Sequence, residues 1–320
     1  MQGMNFLVTG GAGFIGSHLC EHLLQAGNRV ICLDNFDPYY DPAIKYRNIK
    51  ICNDHPEFKL IKGDILDWEL LGNLFKDNHF NAIVHLAARA GVRPSIQNPR
   101  IYQKVNIEGT INLLELSCKH KIPKFIFASS SSVYGNNKKV PFSEDDSVDH
   151  PISPYAATKK AGELITHTFY SLYDISVTCL RFFTVYGPRQ RPDMAIYKFT
   201  SLIDQGEEIP VFGNGKSRRD YTYIDDIITG VLLAIQKCEG FNIFNLGESQ
   251  TIELNNLIRL IEESLHKKAK IKTVPEQPGD MEVTYADITK ARKNLGYNPS
   301  FSLKEGINEF ITWFKGVQKS

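Results

Sequence analysis

The run TGGAGFIGSHL follows the apolar segment NFLV and leads directly into a helical pattern of apolar residues. Gly10, Gly13 and Gly16 in that position constrain the fold more than any other feature of the chain. A strand must end, the backbone must turn sharply, and a helix N-terminus must present its amides to an anion. Only glycine lets main chain approach a diphosphate so closely. Asp34 closes the next apolar run, RVICLD, eighteen residues after Gly16, where a carboxylate can accept both hydroxyls of a ribose. A dinucleotide is therefore expected on the first βαβ unit, with Gly10, Gly13, Phe14, Ile15 and Gly16 about its phosphates and Asp34 and Asn35 at its ribose. A 2′-phosphate there would meet the Asp34 carboxylate, and no arginine follows in NFDPYYD, so the expected cofactor is NAD rather than NADP. Asp64, closing FKLIKGD, and Ile65 are expected beside the adenine, although an aspartate at that point serves equally well as a turn cap.

The rest of the chain repeats the same grammar. FKLIKGD, AIVHLAA, KFIFASS and ISVTCLRFF are short β-branched runs separated by longer helical patterns, which predicts an α/β fold with a doubly wound parallel sheet. NPRIYQKVNIEGTINLLELSCKH and SPYAATKKAGELITHTFYSLYD read as two long helices with broad apolar faces, suited to homodimerisation. After Phe183 the texture changes to loops rich in Gly, Pro, Arg and Asp. The expected division is a nucleotide-binding domain over residues 1–180, with a return segment near 220–247, and a smaller substrate-binding lobe over 181–320. Charge argues by exclusion: 37 basic against 36 acidic residues leave no field for nucleic acid or an anionic membrane, so an anionic ligand must be met by local arginines. The six scattered cysteines lack any C-x-x-C spacing and predict neither a disulfide framework nor a metal site. No signal peptide or long apolar span is read, and a cytoplasmic protein is expected.

Tyr155 and Lys159 stand one helical turn apart in SPYAATKK and share a face. An ammonium held near a phenol favours the phenolate, which lets a tyrosine act as a base nearer neutrality. By itself the spacing is common. It gains a purpose because the fifth strand ends in SSSSVYG, at the carboxyl edge where open α/β sheets bind ligands, and Ser130 there can hydrogen-bond a substrate hydroxyl or ketone.

TGGAGFIG, LAA, SSSSVYG, SPYAATK and RDYTYIDD stand in an order and spacing that resemble the extended short-chain dehydrogenases/reductases, and within them the nucleotide-sugar epimerases, over nearly the whole chain. The resemblance implies Tyr155 as base, Lys159 as the group that lowers its pKa and holds the nicotinamide ribose, and Ser130 as the catalytic hydroxyl. It also implies cofactor contacts from Leu86, Ala87, Ala88 and Asn106. Dehydratases of the family carry an Asp-Glu pair before Val-Tyr-Gly. This chain has Ser131-Ser132, and two hydroxyls cannot replace two titratable carboxyls.

ARAGVRPSIQNP, RFFTVYGPRQRPDMA, RRDYTYIDDI, QPGD and TYAD look like the UDP-glucuronate 4-epimerase branch, which implies a UDP-sugar substrate. Thr184 stands where UDP-galactose epimerases carry Asn, and its hydroxyl can donate to a carboxylate. Arg89 departs from the branch, which has Gln there; its guanidinium suits a substrate acid or an NAD phosphate. Arg219 is expected on the UDP diphosphate, Arg191 near the sugar or phosphates, Phe212 against uracil or in the core, and Ser131 and Asp280 in the substrate site. The competing readings are a UDP-glucuronate decarboxylase, an epimerase of a neutral or N-acetylated UDP-hexose, and a noncatalytic NAD-binding scaffold.

Overall fold

A computed structural model describes residues 1–275 and 281–318. The apolar runs form parallel strands β1 (Asn5–Thr9), β2 (Arg29–Asp34), β3 (Phe58–Lys62), β4 (Ala82–His85), β5 (Lys124–Ser130) and β6 (Ser176–Phe182). A seventh strand, Phe241–Leu246, returns late in the chain to pair in parallel with β6. The spatial order is then 241–246, β6, β5, β4, β1, β2, β3. Thr9 registers with Leu33 on one side and with His85 on the other. Chain order reverses between β1 and β4, so a crevice opens above their carboxyl ends.

Successive strand residues face opposite ways, and each face is covered. Phe6 and Val8 pack with Leu19 and Leu23 of the first helix, Phe14–Gln25, whereas Leu7 joins Ile83, Phe125 and Leu113 in the other layer. Each such side chain, fully buried, contributes about 1.5–3 kcal/mol. The long helix Pro154–Tyr173 forms as the sequence predicts, with Ser153 capping the Ala156 amide and proline in the first turn. The other expected helix is divided. Residues 99–119 form a helix over Pro99–Gln103, a π-helical turn over Lys104–Glu108 and a second helix over Gly109–Lys119. The wide turn brings the Asn106 amide against the loop at Arg89 and against Thr158, contacts that helical periodicity does not announce.

Past β6, short strand pairs replace the large sheet: Thr184–Tyr186 with Tyr221–Tyr223, Glu208–Phe212 with Lys270–Val274, and Arg218–Arg219 with Ile252–Glu253. Asp220 ties the chain between these strands together. Its buried carboxylate accepts from the amides of Glu248 (2.8 Å), Ser249 (3.1 Å) and Ala286 (3.1 Å) and from the Thr222 hydroxyl (3.2 Å). Burial, reinforced by Asp226 and Asp220, pushes the neighbouring Glu248 carboxyl up to about 7, with Arg292 opposing. One oxygen of Glu248 is buried without a hydrogen-bond partner.

A stability prediction follows from that shift. As pH rises from about 4.5 toward about 7, the unfolded chain releases this proton while the folded chain keeps it, so the group costs stability progressively across that window. Glu248→Gln is therefore expected to raise the free energy of urea unfolding at pH 8 by on the order of 1 kcal/mol, discounted for partial exposure, and to lose that advantage by pH 4.5. A pH-independent difference between variant and parent would contradict it.

Among the described residues no helix is long and apolar enough to cross a membrane, and no group of three or more His, Cys, Asp or Glu stands ready to hold a metal ion. The six cysteines are free thiols.

Candidate active site

A cavity of about 450 Å³ lies over the crevice between β1 and β4 and extends toward the ends of β5 and β6. Its floor is the glycine turn. Gly10 has φ +69°, and a Cβ there would stand 2.7 Å from the Ala87 nitrogen; one on Gly16 would stand 2.2 Å from the Gly10 carbonyl. Both glycines are therefore required for the turn to lie against the strand ends and for the first helix to pack beneath it. That helix begins at Gly13 without a side-chain cap, so its leading amides face the cavity floor as an anion site requires.

Asp34 ends β2 at the rim of this floor. Its carboxylate accepts from the amides of Ala12 (3.2 Å) and Phe36 (2.9 Å) and pairs with the buried Lys45 ammonium at 3.2 Å. Lys45, with Tyr39 and Tyr40, lines the cavity and escaped the sequence reading, because the carboxylate and the lysine meet only when the helix Pro42–Asn48 folds back. Asp64 also lines the cavity, receives the Asn35 amide at 2.8 Å and caps the Leu66 amide at 2.9 Å. Phe14, Ile15, Asn35, Ile65, Leu86, Ala87 and Ala88 complete this end.

Tyr155, Lys159, Ser130 and Ser131 meet at the other end, where the long helix crosses the tip of β5. Ser130 caps the short helical turn Ser131–Tyr134, donates to the Ser132 hydroxyl at 3.2 Å, and lines the cavity with the Tyr155 phenol. Removal from solvent raises the phenol above its ordinary value near 10, and Ser130 and Arg191 draw it back down. The Lys159 ammonium donates to the Ala128 carbonyl at 2.7 Å and lies 6.0 Å from the Tyr155 ring centroid. Burial lowers Lys159 itself to about 8. A hydroxyl donor, a phenol and a guanidinium lining one cavity can hold an alcohol oxygen and pass its proton.

Arg191 and Thr184 line the same cavity as Tyr155. The Arg191 guanidinium grips Asp193 through Nε (2.9 Å) and Nη2 (2.7 Å), and lies 5.6 Å from the Tyr39 ring. Arg89 lines the cavity too, but pairs with Asp37 at 2.8 Å, which compensates its charge. Three expected site residues stand outside the cavity lining. The Asn106 carboxamide bonds the Arg89 amide and carbonyl and the Thr158 hydroxyl, so it braces the wall and does not line the cavity. Phe212 stands outside the cavity lining, with the Arg93 guanidinium 4.2 Å from its ring centroid. Arg219 also stands outside it and donates to the carbonyls of Arg218 and Glu282. Both sit on short strands whose placement depends on distant pairing. Asp280 lies outside the described residues.

With that geometry established, likeness to known proteins can be stated. The GDP-mannose 4,6 dehydratase family matches residues 7–310. UDP-glucuronate 4-epimerase 4 of Arabidopsis thaliana is 45% identical, over 98% of this chain and 76% of its own. The crystal structure of UDP-glucuronic acid 4-epimerase from Bacillus cereus, in complex with UDP-glucuronic acid and NAD, superposes with a TM-score of 0.93 at 37% identity, covering 98% of this chain and 100% of that one. UDP-glucose 4-epimerase from Thermotoga maritima, with UDP-glucose, superposes with a TM-score of 0.91 at 36% identity, covering 98% and 100%.

Proposed function

The chain belongs to the NAD-dependent epimerase/dehydratase family of extended short-chain dehydrogenases/reductases, and we propose that it interconverts UDP-glucuronate and UDP-galacturonate by inverting C4. The observation that carries this reading is one cavity joining the glycine cradle and Asp34 to Tyr155 and Ser130, with Thr184 and Arg191 also in its lining. Overall likeness alone does not select the sugar, since neutral-sugar and uronic-acid epimerases superpose almost equally well. We rest the preference on Thr184, whose hydroxyl can donate to a carboxylate, with the Arg191 guanidinium, itself paired with Asp193, also in the cavity lining.

The glycine turn and Asp34 would hold NAD, which when bound would supply the acceptor and then the donor for the C4 hydride. Tyr155 takes the proton of the C4 hydroxyl, and Ser130 holds the same oxygen as it becomes a ketone. The sugar then turns about its diphosphate link and presents its other face, and Tyr155 returns the proton. Contacts to UDP must supply most of the affinity, so that the sugar is free to turn. Ser131-Ser132 offer no acid and base for dehydration. Incubation with UDP-glucuronate and no added NAD, followed by NMR, is expected to yield UDP-galacturonate. UDP-xylose as the sole product, or turnover of UDP-glucose alone, would overturn the assignment.

The 4-keto uronate is a β-keto acid and loses CO₂ when its carboxylate stands perpendicular to the ketone plane. We assign Thr184, with Ser131 and Arg191, to holding it away from that alignment. Thr184→Val is accordingly expected to release severalfold more UDP-pentose per turnover, and the parent's level from the variant would remove Thr184 from this role.

The assembly proposed is a homodimer through the long helix Pro154–Tyr173 and its neighbour Gly109–Lys119. Leu164, Leu172 and Tyr173 are 57%, 67% and 56% exposed on the isolated chain, a costly apolar face for a lone protomer. Sedimentation is expected to give a dimer that Leu172→Asp weakens; a monomeric parent would end the proposal. A cytoplasmic location fits the free, largely buried thiols, and fractionation of the source cells tests it.

A further inference from the structure

Thr9 ends β1 immediately before the cofactor turn, and from it an unbroken file of hydrogen bonds runs beneath the cavity to Tyr155. The Thr9 hydroxyl is 2.8 Å from His85 Nδ1, and His85 Nε2 is 2.9 Å from the Thr110 hydroxyl. Thr110 bonds the Asn106 carbonyl at 2.7 Å. The Asn106 amide nitrogen then reaches Thr158 at 3.0 Å, and the Thr158 hydroxyl reaches the Tyr155 carbonyl at 2.8 Å.

The chemistry of the end groups fixes the direction of every bond. A carbonyl only accepts, so Thr110 spends its single proton on Asn106 and must accept from His85. His85 Nε2 therefore carries the hydrogen, Nδ1 is the acceptor, and Thr9 donates to it. Thr158 likewise spends its proton on Tyr155 and accepts from Asn106. The imidazole is buried at the centre of the file, and burial lowers it to about 3, so it stays neutral with one donor and one acceptor. Side branches tie the same file to the cavity walls. The Ala87 amide donates to Thr9 at 3.3 Å, Asn106 clamps Arg89, and Ser95 accepts the Tyr155 amide at 3.1 Å. The π-helical turn at Lys104–Glu108 carries Asn106 in the file.

We infer that His85 is a positioning residue for Tyr155, acting through Thr110, Asn106 and Thr158 to fix the base relative to the cofactor turn. A fully satisfied one-way file has no second register of similar energy, so it holds the first turn of the long helix at one distance from Gly10. The inference rests on the reading of Tyr155 as the base.

The test compares His85→Phe, which keeps a ring and removes both bonds, with His85→Gln, whose carboxamide supplies an acceptor and a donor at similar separation. Thr110→Val breaks the next link at nearly constant shape and covers the case in which His85→Phe fails to fold. With NAD bound, His85→Phe and Thr110→Val are expected to lower kcat by roughly 10- to 100-fold with KM and NAD affinity within about twofold of the parent, and His85→Gln to recover most of the loss. The ¹³Cζ-tyrosine resonance of Tyr155, identified by its absence from Tyr155→Phe, should shift or broaden in the two broken variants and return in His85→Gln. Lower melting temperatures with parental kcat and an unmoved resonance would overturn the inference, as would equal kcat for His85→Phe and His85→Gln. A parent inactive on UDP-glucuronate would instead overturn the reaction reading, while the resonance would still report on the file.

Discussion

Tyr155→Phe is expected to bind NAD as the parent does and to lose turnover by roughly 10²- to 10⁴-fold, the range of a single general acid–base group. The variant should fold, because the ring stays edge-on against Tyr102 at a centroid distance of 6.2 Å and the backbone amide keeps its bond to Ser95. No neighbour can take over the proton. Lys159 is committed to the Ala128 carbonyl, and Ser130 is a far weaker base than a phenolate. Single-turnover NADH absorbance under saturating UDP-glucuronate is the measurement. Near-parental turnover would refute the central assignment, whichever sugar is the substrate.

The second large effect is on stability. Arg181, 1% exposed, is gripped by Glu163 through Nε and Nη2, both at 2.8 Å, and donates to the Tyr134 hydroxyl at 2.9 Å. The Ser129 hydroxyl donates to the same Glu163 carboxylate at 2.6 Å. Glu163→Ala leaves a guanidinium buried without its counter-charge, which costs about 3–5 kcal/mol. Against a typical total of about 5–15 kcal/mol that is a large share. The double change Glu163→Leu with Arg181→Met removes both charges and is expected to recover much of the loss in urea unfolding. A single variant within about 1 kcal/mol of the parent would show that water or another acceptor reaches Arg181. Ser129 precedes Ser130, so the single variant should also lower kcat in whatever fraction remains folded.

The strand grammar and the glycine turn are legible because each is local: period-two runs, a turn at a strand end, an acid closing the next strand. Tyr155, Lys159 and Ser130 are legible for a similar reason, since one helix and one strand terminus bring them together. Lys45 was hidden because its partnership with Asp34 depends on a loop folding back. Asn106 is expected at the cofactor from its spacing, and only packing shows three of its side-chain bonds made to the protein at the wall of the site. Phe212 and Arg219 were assigned from loop texture, and the short strands that hold them pair with partners far along the chain. The π-helical turn leaves no mark in helix propensity, because the same residues suit either winding.

The seventh strand has a consequence for how this chain can be divided. Phe241–Leu246 supplies the outer neighbour of β6, although it lies some sixty residues beyond it. A fragment ending near residue 182 would carry the whole cofactor cradle and Tyr155, yet its sheet would stop at a bare β6, whose unpaired amides and carbonyls invite pairing with other copies. Such a fragment should aggregate. Exchange of sugar preference between relatives by joining one protein's first half to another's second is therefore constrained by a seam inside the sheet. Grafts that respect it must carry the receiving strand with the donor lobe and match its register against β6, residue by residue from Val177 to Phe182.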